Sequence, residues 1–307
     1  MAAIRHCSVC IRECETGHSF CQRRNENGSL KQENILCAIA TDYLYDKPVI
    51  HFRENAKVLS VGSWGCNLRC LGCQNAGLSW SVTGENLGSV EIKPREIVDI
   101  ALKNECKGIC YTFNEPAIFL ETVEKISSIA RERNLFNVFV TNSSLTERSV
   151  KKISPYIDAV AADIKSLKDD FYYKYCGATG IPDVAPKILK CIRAFSESGL
   201  HVEVRTNIIP GANDQEENYH GIASWIRDSL GYTTPWHITR FFPAYKLSHI
   251  GQTPEVSMLR AQQIGIIEGL KYVHTFLDKG CDCAKESDLV AICEANEIHD
   301  CCKNKSR

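Results

Sequence analysis

No stretch of this sequence approaches the roughly 18 consecutive apolar residues of a membrane-crossing helix, and the opening MAAIRHCSVC contains no apolar signal core. Charge of one sign is missing too. Lys plus Arg number 36 against 37 Asp plus Glu, so no overall field selects nucleic acid or an anionic membrane. These absences predict a cytoplasmic protein with neither as a partner. Hydrophobic residues, 44% of the 307, are enough to build two ordinary domains or one large α/β barrel.

Cysteine, by contrast, is abundant, with seventeen in all. An odd number in a long chain without a signal core argues against a disulfide framework and for metal binding or redox chemistry. The cysteines form three groups: Cys7, Cys10, Cys14 and Cys21; Cys66, Cys70 and Cys73; and Cys281, Cys283, Cys293, Cys301 and Cys302. Most of the scattered remainder read as small buried hydrophobes.

Between the first and last groups, strand-like and helix-period segments alternate. Strands are expected at 57–62, 108–113, 137–142, 159–164, 201–208 and 236–241, each followed by a segment with i, i+3, i+4 apolar spacing. Six βα units in succession imply a parallel sheet with right-handed crossovers. The alternation suits a doubly wound sheet as well as a partial (β/α)6 barrel. The polar residues favour the barrel, because they gather at the C-terminal ends of all six strands. These are Cys66, Cys70 and Cys73, then Asn114 and Glu115, Thr141 and Asn142, Asp163 and Lys165, Arg205 to Asn207, and Arg240. That edge of a parallel α/β fold is where active sites are built.

Cys66, Cys70 and Cys73 lie in GSWGCNLRCLGCQNAG, residues 62–77. Their spacing could mark one face of a helix, but Gly62, Gly65, Gly72 and Gly77 oppose one, at about 1 kcal/mol per interior glycine. A closed zinc site usually takes four ligands. Three thiolates on one loop suit three corners of a cubane iron–sulfur cluster with one iron open to a small molecule.

CNLRCLGC resembles the CxxxCxxC signature of radical S-adenosylmethionine (SAM) enzymes. YTFNEPAIFLE, FVTNSSLT, ADIKSLKDDFYYKYCGA, VRTNIIPGANDQEEN and TPWHITRFFPAYKL are similar to the pyruvate formate-lyase activating-enzyme branch. Together with CSVCIRECETGHSFCQRRNENGSL they most resemble the radical SAM member of the AmmeMemoRadiSam system. The resemblance covers residues 7 to about 276 and implies a radical SAM partial barrel at 57–276, a cysteine-rich extension at 1–56 and a cysteine-rich tail at 277–307.

It further implies a [4Fe-4S] cluster on Cys66, Cys70 and Cys73. SAM would be cleaved by one electron to methionine and a 5′-deoxyadenosyl radical that abstracts hydrogen. Asn114 and Glu115 would meet the methionyl ammonium, and Lys165 its carboxylate, with Asp163 orienting the lysine or the ribose. Thr141, Asn142, Arg205, Ile208 and Arg240 would line the rest, Ile208 against adenine. The implied partners are a flavodoxin or ferredoxin-type donor and a protein or peptide substrate. Two alternatives stand: a small-molecule substrate with an auxiliary cluster, and a SAM-binding sensor without turnover.

Three features depart from the pattern. Phe242 occupies a position where relatives often carry histidine, which leaves a hydrogen bond either missing or supplied elsewhere, by His237 or Arg240. Val140 replaces a carboxylate that could bind a monovalent cation. No ferredoxin-like cysteine module follows Cys73. Cys7, Cys10, Cys14 and Cys21 supply four thiols within fifteen residues, which suits either zinc or a second [4Fe-4S] cluster. The tail, with adjacent and singly spaced cysteines, is expected to hold no iron–sulfur cluster of its own.

Overall fold

The computed structural model describes residues 6–15, 17–84 and 87–276, so the cysteine tail and the expectation attached to it lie outside the described residues. In chain order the strands are β1 (Ile35–Leu36), β2 (Ala38–Tyr43), β3 (Lys57–Gly62), β4 (Val90–Glu91), β5 (Gly108–Tyr111), β6 (Phe136–Thr141), β7 (Ala159–Asp163), β8 (His201–Ile208), β9 (Trp236–Arg240) and β10 (Val273–Phe276). The helices are α1 (Ala76–Ser79), α2 (Pro94–Lys103), α3 (Leu120–Glu132), α4 (Glu147–Ile153), α5 (Asp169–Cys176), α6 (Val184–Glu197), α7 (Glu216–Leu230) and α8 (Glu255–Ile267).

All six expected strands are present, several a residue or two shorter than their apolar runs. The sequence reading did not identify β2, β10 or α5. β1 and β4 form a separate antiparallel pair, and the other eight strands form one sheet in the order β10-β9-β8-β7-β6-β5-β3-β2. From β3 to β10 neighbours are parallel and follow sequence order, while β2 adds antiparallel to β3. A doubly wound sheet would reverse direction at a switch point. Here no reversal occurs, so every crossover winds the same way, the helices take one face and the other face becomes a lumen. The barrel is open, because β10 and β2 do not pair.

Local chemistry starts and stops the helices. Pro94 opens α2 at a position where its missing N–H costs nothing, and the Glu96 carboxylate accepts from Lys93 N at 2.9 Å. The Thr146 hydroxyl oxygen accepts from Ser149 N to cap α4, and α5 stops at Gly177, whose φ of 60° suits glycine. Strand alternation then sorts the side chains. Val160 and Ala162 of β7 join Ile188, Ile192 and Phe195 of α6 in the large core between sheet and helices. Ala159 and Ala161 face the lumen with Val58, Cys110, Val138 and Val140, where Leu44 and Val49 fill the space from the segment after β2. Each fully buried aliphatic side chain contributes about 1.5–3 kcal/mol.

A polar network closes the lumen at the N-terminal end of the strands. The fully buried Glu203 carboxylate of β8 accepts from the backbone N–H groups of Ile50 and His51 at 3.1 and 2.9 Å. It also meets His201 Nε2 at 2.9 Å and His237 Nε2 at 2.5 Å. His51 Nε2 lies 2.8 Å from His274 Nε2, so the 44–56 segment spans from the β2 edge to β10 across the open side. Part of the expected 1–56 extension is therefore built into the barrel.

Candidate active site

The loop after β3 is an irregular knot held by side chains. Gly62 leaves the sheet where a Cβ would stand 2.7 Å from the Thr112 carbonyl oxygen. Trp64 and Leu68 point inward and are 2% exposed, while Cys66, Cys70 and Cys73 are half-buried on the side of the strand ends. Asn114 clamps the loop: its Oδ1 accepts from Ser63 N at 3.0 Å and its Nδ2 donates to Gly65 O at 2.9 Å. Arg69 Nη1 donates to the carbonyls of Cys66, Leu68 and Ser79. Arg69 N and Leu71 N donate to Cys176 O and Tyr175 O, tying the loop to the end of α5. Backbone groups that a helix would satisfy internally are satisfied here by other segments.

Burial pushes the Cys66 and Cys73 thiols above their ordinary range, and Cys70 is raised by a hydrogen bond to Cys176 together with burial. Buried thiols of this kind become thiolates when a metal takes the place of the proton. Sequence reasoning passed over Cys176, which sits against Cys70 at the end of the unanticipated α5.

Glu115 lies two residues after Phe113, whose φ of 68° is rare for a residue with a bulky side chain. The Glu115 side chain is 3% exposed. Oε1 accepts from Ala117 N at 3.1 Å and Thr141 Oγ1 at 2.8 Å, and Oε2 accepts from Asn142 N at 2.7 Å. All three donors are neutral. Burial therefore dominates and raises this carboxyl from 4.5 to about 7. Asn142 also donates through Nδ2 to Asn67 Oδ1 at 2.9 Å and toward Cys66 Sγ at 3.9 Å, which joins Glu115 to the cysteine loop.

Across the lumen, Asp163 accepts from Lys165 Nζ at 2.7 Å and Arg205 Nη2 at 2.5 Å. Burial pushes the Asp163 carboxyl up, but Arg205 and Lys165 outweigh it and hold it below its ordinary value. Burial likewise works against the Lys165 ammonium, yet Asp163, ahead of Cys70 and Cys176, keeps it charged. The Tyr172 hydroxyl oxygen accepts from the N–H groups of Lys165 and Ser166 and fixes the turn. Arg205 Nε is buried without a partner, an orphaned donor at the centre of the site.

Two predicted residues face elsewhere. Ile208 is fully buried in the core between sheet and helices, on the same face of β8 as Val202 and Val204, so its side chain is not directed at a ligand in the lumen. Arg240 leaves β9 on the Trp236 and Ile238 face, and its Nε donates to Thr253 O at 2.7 Å. His237, considered as a substitute for the histidine missing at Phe242, is bound to Glu203 one layer lower. Two surface clefts of about 730 and 850 Å³ lie among helix-side and N-terminal-edge residues and contain none of the predicted site residues.

Three half-buried thiols on one loop, an uncompensated carboxylate, a charged lysine and an orphaned guanidinium nitrogen converge at the strand ends. Their chemistry fits a cluster-bound cofactor with both ammonium and carboxylate groups, and defines an α/β partial-barrel enzyme. Residues 62–220 match the family model described as the radical SAM superfamily. A protein of Methanocaldococcus jannaschii of uncharacterised function is 37% identical over 277 residues, covering 87% of this chain and 80% of that one. The pyruvate formate-lyase-activating enzyme of Streptococcus mutans is 23% identical over 175 residues, 53% of this chain and 63% of that enzyme. In fold, a radical SAM methyltransferase from Sphaerobacter thermophilus superposes with a TM-score of 0.55 at 18% identity, covering 75% of this chain and 68% of that one. The chain belongs to the radical SAM superfamily, whose enzymes use a [4Fe-4S] cluster and SAM. Among the described residues no helix is long and apolar enough to cross a membrane.

Proposed function

We propose that this enzyme abstracts a hydrogen atom from a protein or peptide, by glycyl-radical activation or a related modification. Cys66, Cys70 and Cys73 hold the cluster, which when bound supplies the electron that cleaves SAM. Glu115 takes the methionyl ammonium on the lone pair left free by its three neutral donors. Lys165 receives the methionyl carboxylate while Asp163, itself held by Arg205, keeps the ammonium in place. Asn114 and Asn142 fix the loop relative to Glu115, and the Leu44–Val49 plug closes the lumen from below.

The observation that carries SAM binding is the buried Glu115 charge without a cationic partner. The likeness to an activating enzyme supports a macromolecular substrate. A flavodoxin or ferredoxin-type donor supplies the electron, and the reducing cytoplasm, where free thiols persist, is the proposed location. The test is anaerobic reconstitution followed by mass spectrometry of 5′-deoxyadenosine formed in the presence of deuterated candidate proteins and metabolites. Deuterium arriving from a protein supports the reading; deuterium arriving only from a metabolite overturns it.

A further inference from the structure

The proposed chemistry leaves Cys7, Cys10, Cys14 and Cys21 unused. Their segment folds onto the strand-end face. Cys10 bridges Leu145 in an antiparallel pair, Ile11 N donates to Ser144 O at 2.9 Å, and Thr146 N donates to Val9 O at 3.2 Å. Cys7 N donates to Cys14 O at 2.7 Å, which closes the Cys7–Cys14 stretch into a loop. Phe20 N donates to Cys14 Sγ at 3.5 Å. Cys10 and Cys21 are buried, and Cys7 and Cys14 are partly so.

Three guanidinium groups surround these thiols. Arg23 is completely buried against the Trp64 ring at 4.2 Å, and none of its three guanidinium nitrogens has a hydrogen-bond partner among the described residues. Arg24, buried beside it, pairs with Glu121 at 2.6 Å. Arg12 donates to the carbonyls of Asn67 and Gly177 and stacks on Phe20 at 3.5 Å. Arg12 lies within electrostatic reach of Cys10 and Cys14, Arg23 of Cys21 and Cys37, and Arg24 of Cys7 and Cys21.

A buried cation without an anionic partner costs several kcal/mol, and orphaned donors add to that. Neutral thiols do not relieve it, whereas thiolates relieve both costs, and closely spaced thiolates persist around a metal. With Arg24 balanced by Glu121, Arg12 and Arg23 remain as two positive charges without an ion pair among the described residues. Four thiolates on a divalent ion leave two negative charges.

We propose that Cys7, Cys10, Cys14 and Cys21 bind a second, tetrathiolate metal centre whose charge is offset by Arg12 and Arg23. Among the described residues no three His, Cys, Asp or Glu side chains already stand together as a metal site, and this is as true of Cys66, Cys70 and Cys73. Charge and orphaned donors mark the centre. Arg12 ties it to the backbone of Asn67, the residue after Cys66, so it adjoins the first cluster's loop.

The test uses the full-length chain with Cys66, Cys70 and Cys73 changed to alanine, loaded anaerobically with iron and sulfide or with zinc. The expected result is retention of about one zinc, or about four irons with sulfide, per chain. X-ray absorption should then show a sulfur-only shell at about 2.3 Å, a readout that needs no change in the N-terminal segment. Adding Cys10→Ser or Cys21→Ser should lower metal content about tenfold, while Cys37→Ser and Cys293→Ser leave it unchanged. Absence of retained metal, nitrogen or oxygen ligands, or loss on Cys37→Ser or Cys293→Ser would overturn the proposal.

Discussion

Glu115 and Glu203 are both buried carboxylates in one barrel, and their surroundings assign them opposite tasks. Glu203 is surrounded by His201, His237 and two backbone N–H groups, and despite burial those histidines hold its carboxyl far below its ordinary value. Glu115 has only neutral donors, and burial raises it to about 7. A carboxylate whose charge is already answered holds structure together. One left unanswered in a dry site is set to receive a cation from outside the chain. Burial alone does not distinguish them; the charge of the partners does.

The largest expected effect tests whether the Glu115 end is the reacting end at all. Changing Cys66, Cys70 and Cys73 together to alanine should abolish 5′-deoxyadenosine formation and the SAM-induced change in the reduced-cluster spectrum. A triple variant whose electron paramagnetic resonance still responds to SAM would refute the assignment.

Next is the structural end. Glu203→Ala strips partners from two backbone N–H groups and two histidines, and should destabilise the protein by about 3–5 kcal/mol in urea unfolding. Burial, joined by neighbouring histidines, pushes His51 from 6.5 to about 4 and His274 well below 6.5. Their stability contribution is present above pH 6.5 and is lost as pH falls toward 4. The Glu203 contribution is present above 4.5 and is lost below it. Acid unfolding that is unchanged in the variant would contradict this.

Glu115 predicts the opposite sign. With its folded value raised from 4.5 to about 7, the fold is favoured below 4.5 and that advantage disappears as pH rises through 7. Ligand-free Glu115→Gln should therefore lose the parent's decline in stability between pH 4.5 and 7, while binding SAM about tenfold more weakly. A variant whose stability still declines with the parent's pH dependence, or one binding SAM normally, would erase the contrast between the two glutamates. The smallest effect is expected from Lys165→Ala: weaker SAM binding in calorimetry with iron content unchanged. Normal SAM affinity would remove Lys165 from the site.

Much of the barrel could be read from the sequence because each strand and helix carries its own periodicity and stop signals. The cysteine loop was legible too, since Gly65 and Gly72 oppose a helix through the thiols, which sit within eight residues. Period two in HVEVRTNI places Ile208 with Val202 and Val204, on the helix face, while Glu203, Arg205 and Asn207 face the lumen. The same alternation places Arg240 with Trp236 and Ile238. β2, β10 and α5 are not set apart by length; their identity depends on the neighbours they pair or pack with.

What the sequence determined by itself is therefore local: the βα alternation, the polar strand ends and the thiol loop, all set by residues within a few positions of one another. The tertiary structure decided the strand order that leaves the barrel open. It also decided the meeting of His51, Glu203, His237 and His274, and the burial of Arg23 against Trp64 with Arg24 paired to Glu121. Whether a buried charge is answered depends on groups tens to hundreds of residues away, and Coulomb interactions in a dry interior act through space with no trace in the spacing of the chain.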